Sequence, residues 1–372
     1  MKKLFFMLLA VTVVLSSCER FAGTPEPSAI AADVPASFKV FDAILFYDGY
    51  AAPVSEPVPA GVTRISNSKY IKKLSTEQLN SAGNSMDLKV TIRAACDNYD
   101  RIGYVGIALV KKDSVYSETG GRHLEIGRFI TPFMDKNKQP DQVPYLFSID
   151  NVSSIFKDAA IRATYDIYVE FMVFGVPYAA NTQIAGCAGR NDTFYGTIEF
   201  TGKSAGTAVT DSVYLAPLYF HKYFNNYDNT DVAGKTVKTT TFNVPKALKT
   251  AKLYLITSNH GANSGGEEYV RRDHFVYFDG VQKLSYKPGG KSCEPYRTYN
   301  TQGNGIYGSA PKSASNWSSW SNWCPGDVIP IRVIDLGALA AGNHTFKIEV
   351  PDAVFKDKQG YIPLSVYLQG TK

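Results

Sequence analysis

The chain has 372 residues and a formal net charge of +5, and its 24 Tyr, 21 Phe and 30 Gly favour strands and turns over long helices. Aromatic side chains fit a pleated, half-buried surface and glycine serves the turns. No basic run exceeds three residues, which argues against nucleic-acid binding, and the five scattered histidines with no CxxC spacing offer no metal site.

The opening MKKLFFMLLAVTVVLSSC reads as an export leader. Lys2 and Lys3 supply its positive end, and an apolar stretch at 4–15 follows. Leu15-Ser16-Ser17-Cys18 has the form of a lipobox, so Cys18 is expected to be acylated after cleavage; an ordinary cytosolic cysteine is the plainer alternative. Residues 1–17 are then the leader, and 18–36, rich in Pro, Ala and Ser, a flexible tether. Acyl chains, at about 0.8 kcal/mol per buried CH₂, would hold the protein to an outer-membrane, periplasmic or cell-surface face. Nothing later in the chain has the length to span a bilayer as an apolar helix.

Strand-like runs follow at 38–47, 87–94, 101–110, 123–133, 145–149, 161–174 and 193–200. Ser75-Thr76-Glu77-Gln78 has the form of a helix cap. After a linker-like TGKSAG at 201–206, runs resume at 213–220, 235–244, 251–257, 274–279, 328–334, 345–350 and 362–368. Gly or Asp-Gly breaks often separate them, as at Asp279-Gly280. The expected fold is all-β: two consecutive antiparallel β-sandwiches, at 37–203 and 207–372, because a parallel sheet needs crossover helices. Cys96, Cys187, Cys293 and Cys324 remain after Cys18. Disulfides are expected in an exported protein, and four cysteines allow three connectivities.

Three acidic pieces stand out. CDNYDR at 96–101 puts Asp97, Asp100 and Arg101 at the mouth of an apolar strand. Such a group is ordinarily a turn or a surface ion pair. Glu170 interrupts the apolar IYVEFMVFG, so it either faces solvent or is buried with a partner. NHGANSGGEEYVRRDHFVYFDG brings Glu267, Glu268, Arg271, Arg272 and Asp273 to another strand start, behind a glycine-rich loop suited to a bulky ligand.

The blocks CDNYDR (96–101), LEIGRFITPF (124–133), IYVEF (167–171), NHG (259–261), EEYVRRDHFVYFDG (267–280) and NWCPG (322–326) resemble, in order, those of the peptide:N-glycosidase F family. The resemblance implies two side-by-side jelly rolls with an active site in the cleft between them. It also implies hydrolysis of the amide joining N-acetylglucosamine to asparagine, with N-linked glycoproteins or glycopeptides as partners and no metal or organic cofactor. The protein is expected to act as a monomer. Carried over by motif, the essential aspartate is Asp100, with Arg101 beside it and Glu170 and Glu268 in support. Amide hydrolysis needs a positioned water, a base, a polarised carbonyl and an acid for the leaving nitrogen. Clustered carboxylates divide such roles because repulsion raises at least one pKa.

Tyr99, Tyr269, Trp323, Trp320 and His260 fall where the resemblance implies substrate contacts, and core packing is the competing reading for the aromatic residues. Trp317 could also line the glycan path. The resemblance further implies a Cys293–Cys324 disulfide, leaving Cys96 and Cys187 to pair. Several family features are missing: an Arg before the WCPG block, where Trp320 or Ser321 stands, an aromatic at Met172, and a small disulfide at Gly266 and Val270. Three readings therefore stay open. They are an exported, lipid-anchored N-glycan amidase, a non-catalytic glycan- or glycopeptide-binding lipoprotein on the same fold, and an adhesin or structural surface protein.

Overall fold

Side-chain alternation builds the strands. In the computed structural model, which describes residues 36–203, 212–225, 231–302, 304, 306–318 and 320–372, Gln142–Ser148 buries every second residue. That is the pattern of a strand with one wet face. The leader, Cys18, the tether up to residue 35 and the linker at 204–206 lie outside the described residues. The described residues belong to one compact unit.

The first half supplies β1 (Ser37–Tyr47), β2 (Val62–Ser66), β3 (Lys69–Lys73), β4 (Ser85–Ala94) and β5 (Ile102–Lys111). Then come β6 (Arg122–Ile130), β7 (Gln142–Ser148), β8 (Tyr165–Val173) and β9 (Asp192–Lys203). One sheet runs β1-β9-β4-β7. The second half supplies β10 (Val213–Phe224), β11 (Val237–Val244), β12 (Leu248–Thr257), β13 (His274–Phe278) and β14 (Val281–Tyr286). It continues with β15 (Val328–Ile329), β16 (Arg332–Leu339), β17 (Gly342–Glu349) and β18 (Ile362–Thr371). Its sheets run β10-β18-β12-β16 and β11-β17-β13-β14, packed over Leu253, Leu255, Val276, Phe346, Ile348 and Leu364. These are two antiparallel jelly rolls. The expected Asp279-Gly280 break joins β13 to β14, with both residues at positive φ (48° and 78°), as a two-residue hairpin turn requires.

The remaining sheet, β15-β6-β5-β8-β3-β2, links the halves. The expected strand at 328–334 is in fact two strands. Val328–Ile329 pairs with β6 of the first half, and Arg332–Leu339 pairs with β12 of the second. Pro330 sits between them, where a residue without an N–H ends the ladder. The expected run at 161–174 likewise begins as a helix, α3 below. The hairpin β2–β3 and the strand β14 were not foreseen, being short and rich in Lys, Thr and Ser. Ser75 does cap α1 (Thr76–Asn80) in a capping box with Gln78. Two further helices, α2 (Asp150–Lys157) and α3 (Ala159–Thr164), pack beside β4 and β8.

The seam between the jelly rolls explains why β5 reads as continuously apolar. Every residue from Ile102 to Val110 is buried. Val105, Ile107 and Leu109 face the first core, while Tyr104 packs on His221 of β10, ring centroids 4.0 Å apart. Beside it lies Arg128 on β6, fully buried. Its Nε and Nη2 each donate to Glu125 at 2.7 Å, and its Nη1 donates to Ser258 Oγ at 2.9 Å and the Pro363 carbonyl at 2.8 Å. His221 Nε2 lies 3.1 Å from the same Glu125. Arg128 and His221 hold the Glu125 carboxyl at about 2, against its burial. A buried guanidinium with these partners locks the two halves in register.

Candidate active site

The loop into β5 sorts its two aspartates by partner. Asp97 is buried, and both its oxygens engage Arg101, Nε to Oδ2 at 2.7 Å and Nη2 to Oδ1 at 3.3 Å. It also accepts from the amides of Tyr99 at 3.0 Å and Val176 at 2.7 Å. Arg101 is fixed further by its own amide on Thr131 Oγ1 at 2.7 Å and by Nη2 on the Val176 carbonyl at 3.3 Å. Asp100 is half-buried beyond this frame. Burial first, and then the negative charge of Glu268, push its carboxyl well above the usual range, with Arg101 opposing.

Glu268 comes from the other jelly roll. Its loop folds back so that the Gly261 amide donates to Glu268 Oε2 at 3.3 Å. Gly261 has φ +135°, and a Cβ there would lie 2.7 Å from Gly360 Cα, so only glycine fits. Asn322 clamps the loop from the NWCPG block, its Nδ2 donating to the carbonyls of Glu267 at 2.7 Å and Glu268 at 2.5 Å. Burial lifts the Glu268 carboxyl to about 6, against the Gly261 amide and the Tyr269 hydroxyl. The site is therefore a pair of carboxyls, one from each half, that cannot both ionise readily. Like charges held together in this way raise at least one pKa, and the two titrate as a coupled pair.

The aromatic residues divide. Tyr269 is 37 % exposed and meets Trp320 edge-on at 6.3 Å, next to Glu268. Tyr99, half-buried, packs on Phe133 at 5.8 Å with the Arg101 guanidinium 5.3 Å from its ring. Trp323, expected at the sugar, is instead buried in the seam with Ile102, Ile130 and Ile256, and its indole donates to the Asn259 carbonyl at 2.9 Å. His260, also expected at the substrate, is buried, stacks on Tyr361 at 5.1 Å and has Nε2 2.8 Å from Ser258 Oγ. Burial and the nearby Arg128 hold it neutral, with its pKa near 3. Trp317 is buried too, bonded to Glu294 Oε1 at 2.9 Å. In all three cases a polar edge that finds a protein partner lets the ring serve packing.

Glu170 was expected in the same acid cluster, but its partners form a separate network. It is fully buried on β8, with Lys69 Nζ at 2.9 Å, His123 Nδ1 at 3.2 Å and the Tyr116 hydroxyl bonded to Oε1. His123 and Lys69 hold its carboxyl at about 2, against burial. Its charge is compensated here, unlike that of Asp100 and Glu268. The sequence reading missed Lys69, Tyr116 and His123. A lone carboxylate in an apolar strand signals a buried partner without saying which one.

Both disulfides are present, Cys293–Cys324 beside the Trp320 loop and Cys96–Cys187 under the Asp97 turn.

Fold and site together define a double jelly-roll protein whose two halves each bring one perturbed carboxyl to a shared site. The model for the N-terminal domain of peptide-N-glycosidase F matches residues 37–188, and that for its C-terminal domain matches 226–369. The chain belongs to the peptide-N-glycosidase F family. Among solved structures, PNGF-II superposes with a TM-score of 0.66 at 19% identity over 90% of this chain, which spans 65% of the PNGF-II chain. PNGase F, a glycosylasparaginase from Flavobacterium meningosepticum, gives 0.56 at 14% identity, covering 91% of this chain and 96% of its own. A structure named peptide-N(4)-(N-acetyl-beta-D-glucosaminyl) asparagine amidase gives 0.57 at 15%, with coverage of 91% and 96%. Curated protein sequences give no match.

Proposed function

We propose that this protein is an exported, lipid-anchored amidase. It hydrolyses the N-acetylglucosamine–asparagine amide of glycoproteins or glycopeptides, leaving aspartate and releasing the glycan as a glycosylamine. The observation that carries the reading is the Asp100–Glu268 pair. One carboxyl raised well above its usual range beside another near 6 supplies an acid and a base at one place near neutral pH. Water adds to the side-chain carbonyl as the ionised member takes its proton. The protonated member then delivers a proton to the amide nitrogen as the C–N bond breaks. Tyr269 and Trp320 offer ring faces and edges to the sugar.

A second reading, a glycan-binding protein without turnover, is favoured by one feature. Glu170 is held in ion pairs with Lys69 and His123 in place of a site with unspent charge. Incubating residues 36–372 with a defined N-glycopeptide in heavy-oxygen water separates the two. The amidase puts label into a new aspartate, whereas bound but uncleaved glycopeptide supports the binder.

A further inference from the structure

Behind Asn322 and Trp323 lies a pocket of about 120 Å³ that the amidase reading does not use. Lys287, Lys291, Arg332 and Asp327 line it together with those two residues. Two of its three cations are already spoken for. Lys287 Nζ lies 3.1 Å from Asp273, and Lys291 is ion-paired to Asp327, which also accepts from the Tyr296 hydroxyl at 2.5 Å and the Val328 amide at 2.7 Å. Among the described residues Arg332 has no such partner. Its guanidinium lies over the Tyr286 ring, 3.8 Å from the centroid, and its one polar contact among the described residues is a long 3.5 Å approach to the Pro330 carbonyl. Burial lowers its pKa, opposed only by Tyr286.

An arginine fork is built to take a carboxylate on two parallel N–H bonds. A half-buried guanidinium left without an anion is costly, and stacking on one ring offsets only part of that cost. Charge also selects the ligand. With Lys287 and Lys291 neutralised by Asp273 and Asp327, a single positive charge remains, which calls for a monoanion.

We propose that Arg332 and its pocket form a carboxylate-binding site, filled by a carboxylate that the substrate carries away from the scissile amide. The substrate part rests on the amidase reading; the carboxylate site does not. Asn322 connects the two places, since it lines this pocket while its Nδ2 holds the Glu267 and Glu268 carbonyls. A ligand here therefore bears on the loop that carries the catalytic glutamate.

The first test is independent of turnover. Acetate is titrated into the folded protein while the Trp323 indole N–H resonance is followed, with chloride at equal ionic strength as control. Saturable shifts with acetate alone are expected, and Arg332→Gln should weaken binding at least about tenfold, the loss of a charge-assisted fork. Arg332→Lys keeps the charge without the fork and should bind weakly, which guards against a Gln variant that fails to fold. No saturable response in the wild type, or equal affinity in a folded Arg332→Gln protein, overturns the site. The second test uses Asp100→Asn protein and displaces acetate with neutral glycopeptides, with ones bearing an acidic residue near the asparagine, or with ones bearing an acidic sugar. Displacement by one acidic set alone identifies the donor. Equal displacement by all three, or by none, removes the substrate assignment while leaving the acetate site intact.

Discussion

Arg101 forks onto Asp97, four residues back, and not onto its chain neighbour Asp100. This division of labour leaves Asp100 under the influence of Glu268 from the other jelly roll. A positioned arginine next to an aspartate in sequence is thus a scaffold for one acid and a modest counter-field for another.

The pair is separable by substitution. Asp100→Asn should lower turnover by about 10²–10⁴-fold, the usual loss for a general acid or base. Its melting temperature should hold or rise at pH values where the wild-type Asp100 is ionised, because a carboxyl whose folded pKa is raised costs stability once it ionises. Asp97→Asn should instead lower stability, leaving the half-buried Arg101 guanidinium without its carboxylate at a cost of about 3 kcal/mol. Turnover and thermal unfolding measured on both purified variants check this. An Asp100→Asn protein releasing glycan at the wild-type rate ends the catalytic assignment.

The same pair sets the pH profile of kcat/KM. As pH falls below about 6, Glu268 gains a proton and the pair loses its base, so the rate should fall about tenfold per pH unit. As pH rises, the pair loses its remaining proton and the rate falls again. Glu268→Gln removes one of the influences that raise Asp100, so in any residual activity the alkaline limb should move to lower pH. An unmoved alkaline limb would dissociate the two groups.

Acid should destabilise the fold in two stages. His260 and His274 are buried and neutral, with pKa values near 3 against an ordinary 6.5. The unfolded chain binds their protons first, so the stability they contribute is full above about 6.5 and falls as pH drops toward 3, opposed in part by Asp100 and Glu268, whose raised carboxyls cost less once protonated. Glu125 and Glu170, held near 2 against an ordinary 4.5, add a second loss as pH falls below about 4.5. Denaturant midpoints at pH 8, 5.5 and 4 should decline in that order, and His260→Gln should flatten the first stage. A His260→Gln protein whose midpoint falls between pH 8 and 5.5 as steeply as the wild type's would contradict the buried neutral histidine.

The two disulfides differ in span. Cys96–Cys187 closes a separation of 91 residues and Cys293–Cys324 one of 31. Chain entropy gives about 4–5 kcal/mol for the first and roughly 3–4 kcal/mol for the second. Paired Cys→Ala variants should lose stability in that order. Only the second pair borders the Trp320 loop, so its loss should also raise KM. Peptide mapping of the oxidised protein that finds Cys293 free would refute the pairing.

Anchoring at Cys18 is checked by fractionation. Cys18→Ser should leave the protein unacylated and move it from the membrane fraction to soluble or unprocessed forms. Unchanged fractionation would remove the lipid anchor from the proposal.

Local chemistry written in consecutive residues was legible without the fold. Alternation marked most strands, Ser75 and Gln78 marked a helix start, Asp279-Gly280 marked a hairpin, and motif order pointed to Asp100 and Glu268. The capping box, the turn and the pleat act over a few residues, so sequence alone carries them. Tertiary structure decided what depends on which partner a buried group meets. Arg101 took Asp97, Glu170 was neutralised by Lys69 and His123, and Trp323 and His260 went to the seam. Val328–Ile329 left its neighbours to pair with β6. The physical reason is shared: a buried charge, ring or ladder edge is placed by what satisfies it, and which candidate partner comes within reach, near in sequence or far, is settled only by the folded loops and strands.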